Sequence, residues 1–242
     1  MDRFFLILSY MTCLPVPLKR IMTEEDLGHG TRWFPVAGAV IGAGLCLVVI
    51  LAESLWTPVV AGIAAVSFWA FITRGLHLDG VADIFDALGG GATRDRALEI
   101  LKDSRIGAFG AIALFCLLGI KWAVIVSLNR EALAWLFVAP IVARWSVVLA
   151  IFWFPPARPD GMGRRFTAAC GRLEVLVAST LAAAFVFPLM GLNGLIPFGV
   201  SALGMALVGW RLNAVLGGLT GDCYGCIGEL VEVAVLLVGI AI

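Results

Sequence analysis

The sequence predicts an all-α fold, a polytopic bundle of about six to seven transmembrane helices that forms one integral membrane domain over residues 1–242. Two observations lead to this prediction. Hydrophobic residues make up 61% of the chain and charged residues only 14%, whereas soluble globular domains carry about 25% charged residues. The apolar residues also fall in long blocks, and one helical crossing of a bilayer takes about 20 of them.

The apolar blocks predict spans near 33–52, 57–73, 107–127, 132–153, 174–191, 195–210 and 226–242. The stretch before Leu18, FFLILSYMTCLPVP, is short and rich in proline, so we expect residues 4–18 to form an interfacial or re-entrant helix rather than a span. Asp2 and the missing small-residue cleavage site argue against a signal peptide. Between the second and third spans, GGG at 89–91 is expected to break a helix, and TRDRALEILKDSR predicts an amphipathic helix with Thr93 as its N-cap.

The positive charges are distributed unevenly between the predicted loops. If the loop at 19–32 is cytoplasmic, the loops at 74–106, 155–173 and 211–225 are cytoplasmic as well. Their basic residues are Lys19, Arg20, Arg32, Arg74, Arg94, Arg96, Lys102, Arg105, Arg158, Arg164, Arg165, Arg172 and Arg211. The opposite side holds Arg130 alone, which is the asymmetry of the positive-inside rule. The net charge of zero gives no indication of a nucleic-acid partner.

Three aspartates share one face of a helix predicted within HLDGVADIFDALGGG. Asp79, Asp83 and Asp86 stand at i, i+4 and i+7, so successive Cβ atoms lie about 5–6 Å apart. Like charges so placed repel, whereas a divalent cation would stabilise them. Mg²⁺ prefers oxygen ligands, usually one or two carboxylates plus substrate phosphates, and the segment therefore predicts a magnesium site. The alternative is a polar loop whose acids pair with nearby arginines, namely Arg74, Arg94 or Arg96.

A second acidic stripe lies in GDCYGCIGELVE. Asp222, Gly225, Glu229 and Glu232 follow one another at +3, +4 and +3 and enter the last predicted span. An unpaired carboxylate within a bilayer costs a few kcal/mol or more, so both glutamates are expected to have partners. Lys121, Arg144 or a bound cation could serve. The CxxC of Cys223 and Cys226 has no second pair or neighbouring histidine, which favours small buried residues over a metal or redox site.

His77 and two basic segments complete the polar set expected at the cytoplasmic face. For His77, the roles of general base, phosphate donor and structural hydrogen-bonding residue all stay open. LKDSRIGAFG supplies Lys102, Asp103 and Arg105, and PPARPDGMGRRF supplies Arg158 and two later arginines. Arginines, glycine amides and a cation are typical parts of a phosphate site. We therefore expect an active site at the cytoplasmic face.

The chain resembles the cobalamin synthase family (adenosylcobinamide-GDP ribazoletransferases). The resemblance rests on HLDGVADIFDALGGG, LKDSRIGAFG, PPARPDGMG and LTGDCYGCIGELVE in this order, with LPVP at 14–17 and FPVAGAVIG at 34–42, and it covers essentially the whole chain. Two positions depart from the family pattern, since glycine is expected in place of Ala87 and alanine in place of Cys226. Both departures exchange one small residue for another.

The resemblance implies a bacterial inner-membrane enzyme that joins α-ribazole, or its 5′-phosphate, to adenosylcobinamide-GDP with release of GMP and with Mg²⁺ as cofactor. It implies that Asp79, Asp83 and Asp86 bind magnesium and the diphosphate, with Asp222 and Glu229 as a second metal arm. His77, Asp79 or Asp83 would be catalytic, with His77 or an aspartate accepting the hydroxyl proton. The residues assigned to substrate or phosphate binding are Gly80, Lys102, Asp103, Arg105 and Arg158.

Three other functions remain as alternatives. CDP-alcohol phosphotransferases carry Asp-Gly-x-x-Ala-Arg, but here Asp79-Gly80 is followed by Val81-Ala82-Asp83 without the arginine. Prenyltransferases use two separated aspartate-rich segments and would accept an isoprenyl diphosphate. A transporter could use the charged residues within the spans, but no repeated halves are visible in the sequence. The sequence does not decide the lower base, the oligomeric state or the number of metal ions.

Overall fold

The computed structural model describes residues 2–16, 23–91, 93–128 and 133–242, and Lys19, Arg20 and Arg130 of the predicted charge asymmetry lie outside these ranges. The described chain is almost entirely helical, with one isolated bridge between Pro156 and Leu219. Its α-helices are α1 (Asp2–Met11), α2 (Glu24–Gly30), α3 (Phe34–Leu55), α4 (Pro58–Ile72), α5 (Leu76–Gly90), α6 (Arg94–Ile100), α7 (Ala108–Ser127), α8 (Leu133–Trp153), α9 (Met162–Thr167), α10 (Arg172–Met190), α11 (Leu195–Leu216) and α12 (Gly221–Ala241).

Five helical runs of the described chain are long and apolar enough to cross a membrane, or six if the bent pair α4–α5 counts as one span. The longest run, Arg172–Leu216, has 45 residues. Trp145 contacts it twice, by donating to Ser179 Oγ at 2.9 Å and by packing edge-on against Phe198. These two residues are 19 positions apart, which a straight helix would stretch to about 28 Å. The run therefore folds back as α10 and α11, and the fold class predicted from the sequence is confirmed.

Helix α8 is the centre of the bundle. It packs against α3, α10, α11 and α12, and most of its side chains are buried because it is apolar on every face. Its approach to α3 depends on small residues, since a Cβ on Gly38 would lie 2.4 Å from the carbonyl oxygen of Pro140. One long apolar block of the sequence thus forms the central helix, and four other helices surround it.

A sharp turn between α4 and α5 places the aspartate-bearing helix. The two helices are bent by 89°, and Arg74 and Gly75 adopt φ values of 55° and 64° at the break. The guanidinium of Arg74 donates to the carbonyls of Ser9 and Tyr10 at 2.8 and 3.0 Å. Helix α1 therefore holds the turn, which directs α5 away from the axis of α4.

Local predictions between the spans are confirmed with small shifts. Helix α5 continues through two of the three glycines and ends at Gly90, with Gly91 as its C-cap. Thr93 caps α6 by accepting a hydrogen bond from the Arg96 backbone amide at 3.3 Å. Helix α1 has only 10 residues, about 15 Å of helix, so it is too short to span a bilayer, as the prediction of a re-entrant or interfacial segment required.

Candidate active site

The site begins with the close crossing of α5 and α12. A Cβ on Gly80 would lie 2.7 Å from the carbonyl oxygen of Asp222, and a Cβ on Gly225 would lie 3.1 Å from the Cα of His77. Only hydrogen fits at these two positions without a shift of the backbone. The glycines thus bring the first turn of α12 against the aspartate-bearing face of α5, which places Asp222 beside Asp79. Gly80, predicted to bind substrate or phosphate, lies at this helix contact.

A cavity of about 210 Å³, lined by both polar and apolar side chains, lies over this crossing. Asp79, Asp222 and His77 line it from α5 and α12, and Arg158 and Arg164 line it from the segment after α8. Hydrogen bonds hold that segment against the start of α12, because the amide of Ala157 donates to Leu219 at 3.0 Å and the amide of Leu219 donates to Pro155 at 2.8 Å. Three segments far apart in sequence therefore meet at one cavity, as the convergence of polar segments predicted.

Arg158 has a guanidinium nitrogen available to a ligand. Its Nη2 donates to the carbonyl of Leu98 at 2.6 Å, which anchors the side chain to α6. Its Nε is buried and has no hydrogen-bond partner in the part of the chain that the structure describes. Its Nη1 makes no hydrogen bond with a described residue and is not one of these buried atoms, so an N–H of this guanidinium is suited to an anion bound in the cavity.

Three carboxylates lie close together at the crossing. Asp83 is half-buried, and the negative charges of Asp79, Asp222 and Asp86 act on it. Asp79 and Asp83 also line a second cavity of about 470 Å³, bounded by Arg74 and Ser104. Asp79 therefore borders both cavities. The predicted stripe of acids on α5 is confirmed as a helix, and Asp222 joins it from α12.

The arginines offered as alternative partners of these acids are engaged elsewhere. Arg74 binds the carbonyls of α1. Arg94 donates to the carbonyls of Leu216 and Ala157 at 2.8 and 3.1 Å, and Arg96 pairs with Glu99 at 2.6 Å. In the described chain, no ion pair joins these three arginines to the aspartates of α5, so the carboxylates keep their mutual repulsion.

Asp86 differs from the other two aspartates of the stripe. Its carboxylate accepts hydrogen bonds from the backbone amides of Gly107 and Gly110, at 2.7 and 2.9 Å. These amides belong to the first turn of α7 and have no helical partner of their own. Asp86, predicted as a metal ligand, thus caps α7 and ties it to α5.

The carboxylates of α5 and α12 suit a hard divalent cation by their chemistry. No group of three or more His, Cys, Asp or Glu residues within residues 2–16, 23–91, 93–128 and 133–242 is arranged closely enough to hold a metal by itself. Magnesium usually takes only one or two carboxylates and completes its shell with water and substrate phosphates. Two of the acids Asp79, Asp83 and Asp222 together with a bound diphosphate would meet that requirement.

Glu229 lies below the cavity in a buried network of charges. Its carboxylate accepts from Lys121 Nζ at 2.6 Å, and Lys121 also contacts Glu232, which pairs with Arg144. All four side chains are almost fully buried. The expectation that Lys121 and Arg144 serve as partners of the two glutamates is confirmed. Glu229, predicted for a second metal arm, has its carboxylate bound to Lys121.

Lys102, Asp103 and Arg105 lie outside the 210 Å³ cavity. Arg105 is 87% exposed and pairs with its neighbour Asp103 at 2.6 Å. Hydrogen bonds from Arg105 lower the pKa of Asp103 to about 2. Ser104 and Ile106, beside them in sequence, line the second cavity. Part of the segment predicted to bind phosphate therefore borders the same cavity as Asp83.

Comparison with known proteins decides the family. The family model for cobalamin-5-phosphate synthase matches residues 3–240. The chain is 39% identical over 229 residues to an adenosylcobinamide-GDP ribazoletransferase of Roseiflexus sp., which covers 95% of this chain and 85% of the relative. The chain belongs to the cobalamin-5-phosphate synthase family.

Two further relatives carry the same name. The protein of Herpetosiphon aurantiacus is 38% identical over 96% of this chain and 93% of its own length. The protein of Geotalea daltonii is 35% identical over 99% of this chain and 97% of its own length. No solved structure matches the chain. As a member of the cobalamin-5-phosphate synthase family, the chain is a transferase of cobalamin biosynthesis, so the resemblance seen in the sequence is confirmed.

Within this member of the family, the structure adds a residue that sequence reasoning missed. Tyr10 of α1 lines the 210 Å³ cavity. Burial, and to a smaller extent the Asp222 carboxylate, raises the pKa of Tyr10 to about 12. It is therefore a neutral phenol that can donate into the cavity at physiological pH. No motif surrounds Tyr10 in the sequence, and only the packing of α1 against the α4–α5 turn brings it to the site.

Proposed function

We propose that this transferase joins α-ribazole, or its 5′-phosphate, to adenosylcobinamide-GDP and releases GMP, with Mg²⁺ as cofactor. One observation carries the proposal, namely that Arg158, whose Nη1 makes no hydrogen bond with a described residue, lines the same cavity as Asp79 and Asp222. A guanidinium and a pair of carboxylates are the groups that bind a diphosphate and its metal ion. The name shared by the relatives supports the choice of substrates.

The reaction replaces the phosphoanhydride bond of a diphosphate with a phosphate ester bond. A ribose hydroxyl of α-ribazole attacks the phosphorus next to the aminopropanol arm of adenosylcobinamide-GDP. A new P–O bond forms, the P–O bond to the GMP phosphate breaks, and GMP leaves with the bridging oxygen. The hydroxyl proton passes to a base of the protein. Most of the catalysis in such a transfer comes from positioning and charge stabilisation.

The residues around the cavity divide these tasks. Arg158, anchored through Leu98, would hold the departing phosphate, and Arg164 would screen it from the open side. Asp79 and Asp83, with Asp222 opposite, would hold Mg²⁺, which when bound neutralises charge on the diphosphate. One of these carboxylates would also accept the hydroxyl proton.

Two cavities that share one carboxylate suit a reaction between two substrates. Asp79 borders both the 210 Å³ cavity and the 470 Å³ cavity. A diphosphate held at Asp79 would be reachable from both sides of α5. The basic segments at 74–106 and 155–173, which contribute residues to these cavities, carry the positive charge that the positive-inside rule assigns to the cytoplasm. We therefore place the site at the cytoplasmic face of a bacterial inner membrane.

The test is turnover by the purified chain in detergent. Adenosylcobinamide-GDP and α-ribazole are supplied with and without Mg²⁺, and GMP and the corrinoid product are followed together. The proposal predicts equal amounts of both products, formed only with a divalent cation. Turnover that is undiminished in EDTA would contradict the metal role. A folded sample that forms neither product with α-ribazole or its 5′-phosphate would contradict the choice of substrates.

A further inference from the structure

The buried network of charged side chains below the cavity extends to His77. Arg144 of α8 is fully buried, pairs with Glu232 of α12, and places its Nη2 at 3.4 Å from His77 Nδ1. Glu232 is held in turn by Lys121 of α7. Four helices, α5, α7, α8 and α12, thus fix one imidazole edge, although none of the motifs in the sequence connects Arg144 with His77.

The chemistry of Arg144 determines which ring nitrogen can face it. A guanidinium has only N–H donors and stays protonated in proteins. Nδ1 of His77 must therefore accept, and the proton of a neutral ring must lie on Nε2. A doubly protonated ring would set an N–H group against an N–H group at this contact and place a second positive charge beside Arg144. The contact selects one tautomer.

The other ring nitrogen is free to meet a ligand. His77 lines the 210 Å³ cavity together with Asp79, Asp222 and Arg158. Among the described residues, His77 Nε2 makes no hydrogen bond. It is also not fully buried, because the buried side-chain atoms without a partner do not include it. The N–H group at Nε2, whose direction is fixed by the contact with Arg144, thus faces the cavity that Arg158 also lines.

We propose that Arg144 is a positioning residue that holds His77 as the neutral tautomer protonated at Nε2, so that His77 donates a hydrogen bond to a phosphate oxygen of the substrate. His77 then cannot serve as the base, because its only free lone pair, on Nδ1, is directed at Arg144. The hydroxyl proton goes to a carboxylate of the Asp79–Asp83–Asp222 group. The tautomer stands on the structure alone, while the phosphate contact rests on the proposed function.

Nitrogen NMR of the full chain measures the tautomer without any substrate. The sequence has only two histidines. His29→Gln removes the other one and keeps an N–H for Glu174, which His29 contacts at 2.8 Å. With ¹⁵N-labelled histidine in lipid nanodiscs at pH 7.5, the couplings of the ring protons tell Nδ1 from Nε2. A single proton on Nε2 is expected, and a proton on Nδ1, or on both nitrogens, overturns the inference.

Variants of Arg144 test whether this residue determines the tautomer of His77. Arg144→Lys keeps a group that can only donate and should retain the Nε2 proton. Arg144→Met removes the donor, and a population protonated at Nδ1 should appear. An unchanged tautomer in a folded Met variant overturns the positioning role. If the Met variant does not fold, the spectrum of the chain with native Arg144 decides alone.

Variants of His77 test whether the ring donates a hydrogen bond to the substrate. The measured quantities are ones that would not differ between variants if His77 had only a structural role. The amide of Gln lies near the position of Nε2 and donates but cannot take a proton at neutral pH. His77→Gln should turn over at least about 10-fold faster than His77→Ala, because a hydrogen bond to a charged group contributes about 10- to 150-fold. In His77→Gln, kcat/KM should still decrease at low pH as it does in the native chain. Equal loss in both variants together with loss of that decrease overturns the donor role.

Different experimental results would contradict the proposed function and the inference about Arg144 and His77. If the native chain turns over no adenosylcobinamide-GDP, the proposed function is wrong, and the nitrogen spectrum still decides the contact between Arg144 and His77. If turnover is normal but the proton lies on Nδ1, the function stands and this inference falls.

Discussion

The helix crossing at Gly80 allows a sharp test of how the site is built. In Gly80→Ala the new Cβ would lie 2.7 Å from the carbonyl oxygen of Asp222 and 3.1 Å from its Cα. Ordinary van der Waals contact begins near 3.4 Å, so the start of α12 must move by about 0.7 Å. Misplacement of catalytic groups by about 1 Å can lower a rate by about 100-fold. We expect kcat/KM for the transfer to fall by about 10- to 100-fold.

Two matched variants separate this effect from the other effects of adding a methyl group. A Cβ on Gly119 of α7 meets nothing within 4 Å, so Gly119→Ala should keep the rate and raise stability by up to about 1 kcal/mol through helix propensity. Gly38→Ala puts a Cβ 2.4 Å from Pro140 at the α3–α8 contact, away from the acids. It should destabilise the bundle by about 1–3 kcal/mol.

The assay is transfer activity per folded protein, measured beside thermal unfolding in detergent. The reasoning predicts that Gly80→Ala loses activity beyond its loss of folded protein, whereas Gly38→Ala loses only stability. Native kcat/KM in a folded Gly80→Ala variant would refute the claim that the close crossing places Asp222 for catalysis.

Three further substitutions test the parts of the site. Asp83→Asn should lower the transfer rate by at least about 100-fold without lowering the melting temperature, because it removes one of several repelling carboxylates; native activity would contradict this. Lys121→Met should destabilise the chain by about 3–5 kcal/mol in denaturant unfolding, since Glu229 and Glu232 lose a buried partner; unchanged unfolding would contradict it. Arg158→Gln should raise KM for adenosylcobinamide-GDP by about 10-fold or more, and an unchanged KM would refute its phosphate role.

Exposed residues supply the controls for these substitutions. The side chain of Asp95 is 94% exposed, so Asp95→Asn changes the same charge as Asp83→Asn outside the cavities and should keep native activity. Arg96 pairs with Glu99 at the surface. Arg96→Met should therefore change stability by no more than about 1 kcal/mol.

The spans could be predicted from the sequence because the bilayer imposes one simple requirement, about 20 apolar residues in a helix. Helix α3 at Phe34–Leu55 begins within one residue of the predicted position, and helix α8 ends at Trp153, as predicted. The ends that shifted are polar. Helix α12 begins at Gly221, five residues before the predicted span, because Thr220 caps a polar first turn. Hydropathy does not register such a turn.

The acids were visible in the sequence, but their roles depend on contacts between distant segments. The spacing of Asp79, Asp83 and Asp86 predicts one helical face, and the structure keeps that face. Only the approach of α7 shows that Asp86 accepts from two backbone amides. The charges of Lys121 and Arg144 suggested partners for the glutamates, whereas the contact of Arg144 with His77 required the packing of both α8 and α5 against α12.

The most direct test of the account is whether Asp79, Asp83 and Asp222 bind a divalent cation together with the substrate. Mn²⁺ can replace Mg²⁺ and be followed by electron paramagnetic resonance in the purified chain with adenosylcobinamide-GDP. We expect substrate-dependent Mn²⁺ binding in the native chain and in Asp95→Asn, weakened by at least about 10-fold in Asp83→Asn. Equal affinity in a folded Asp83→Asn variant, or no binding by the native chain, would contradict the account.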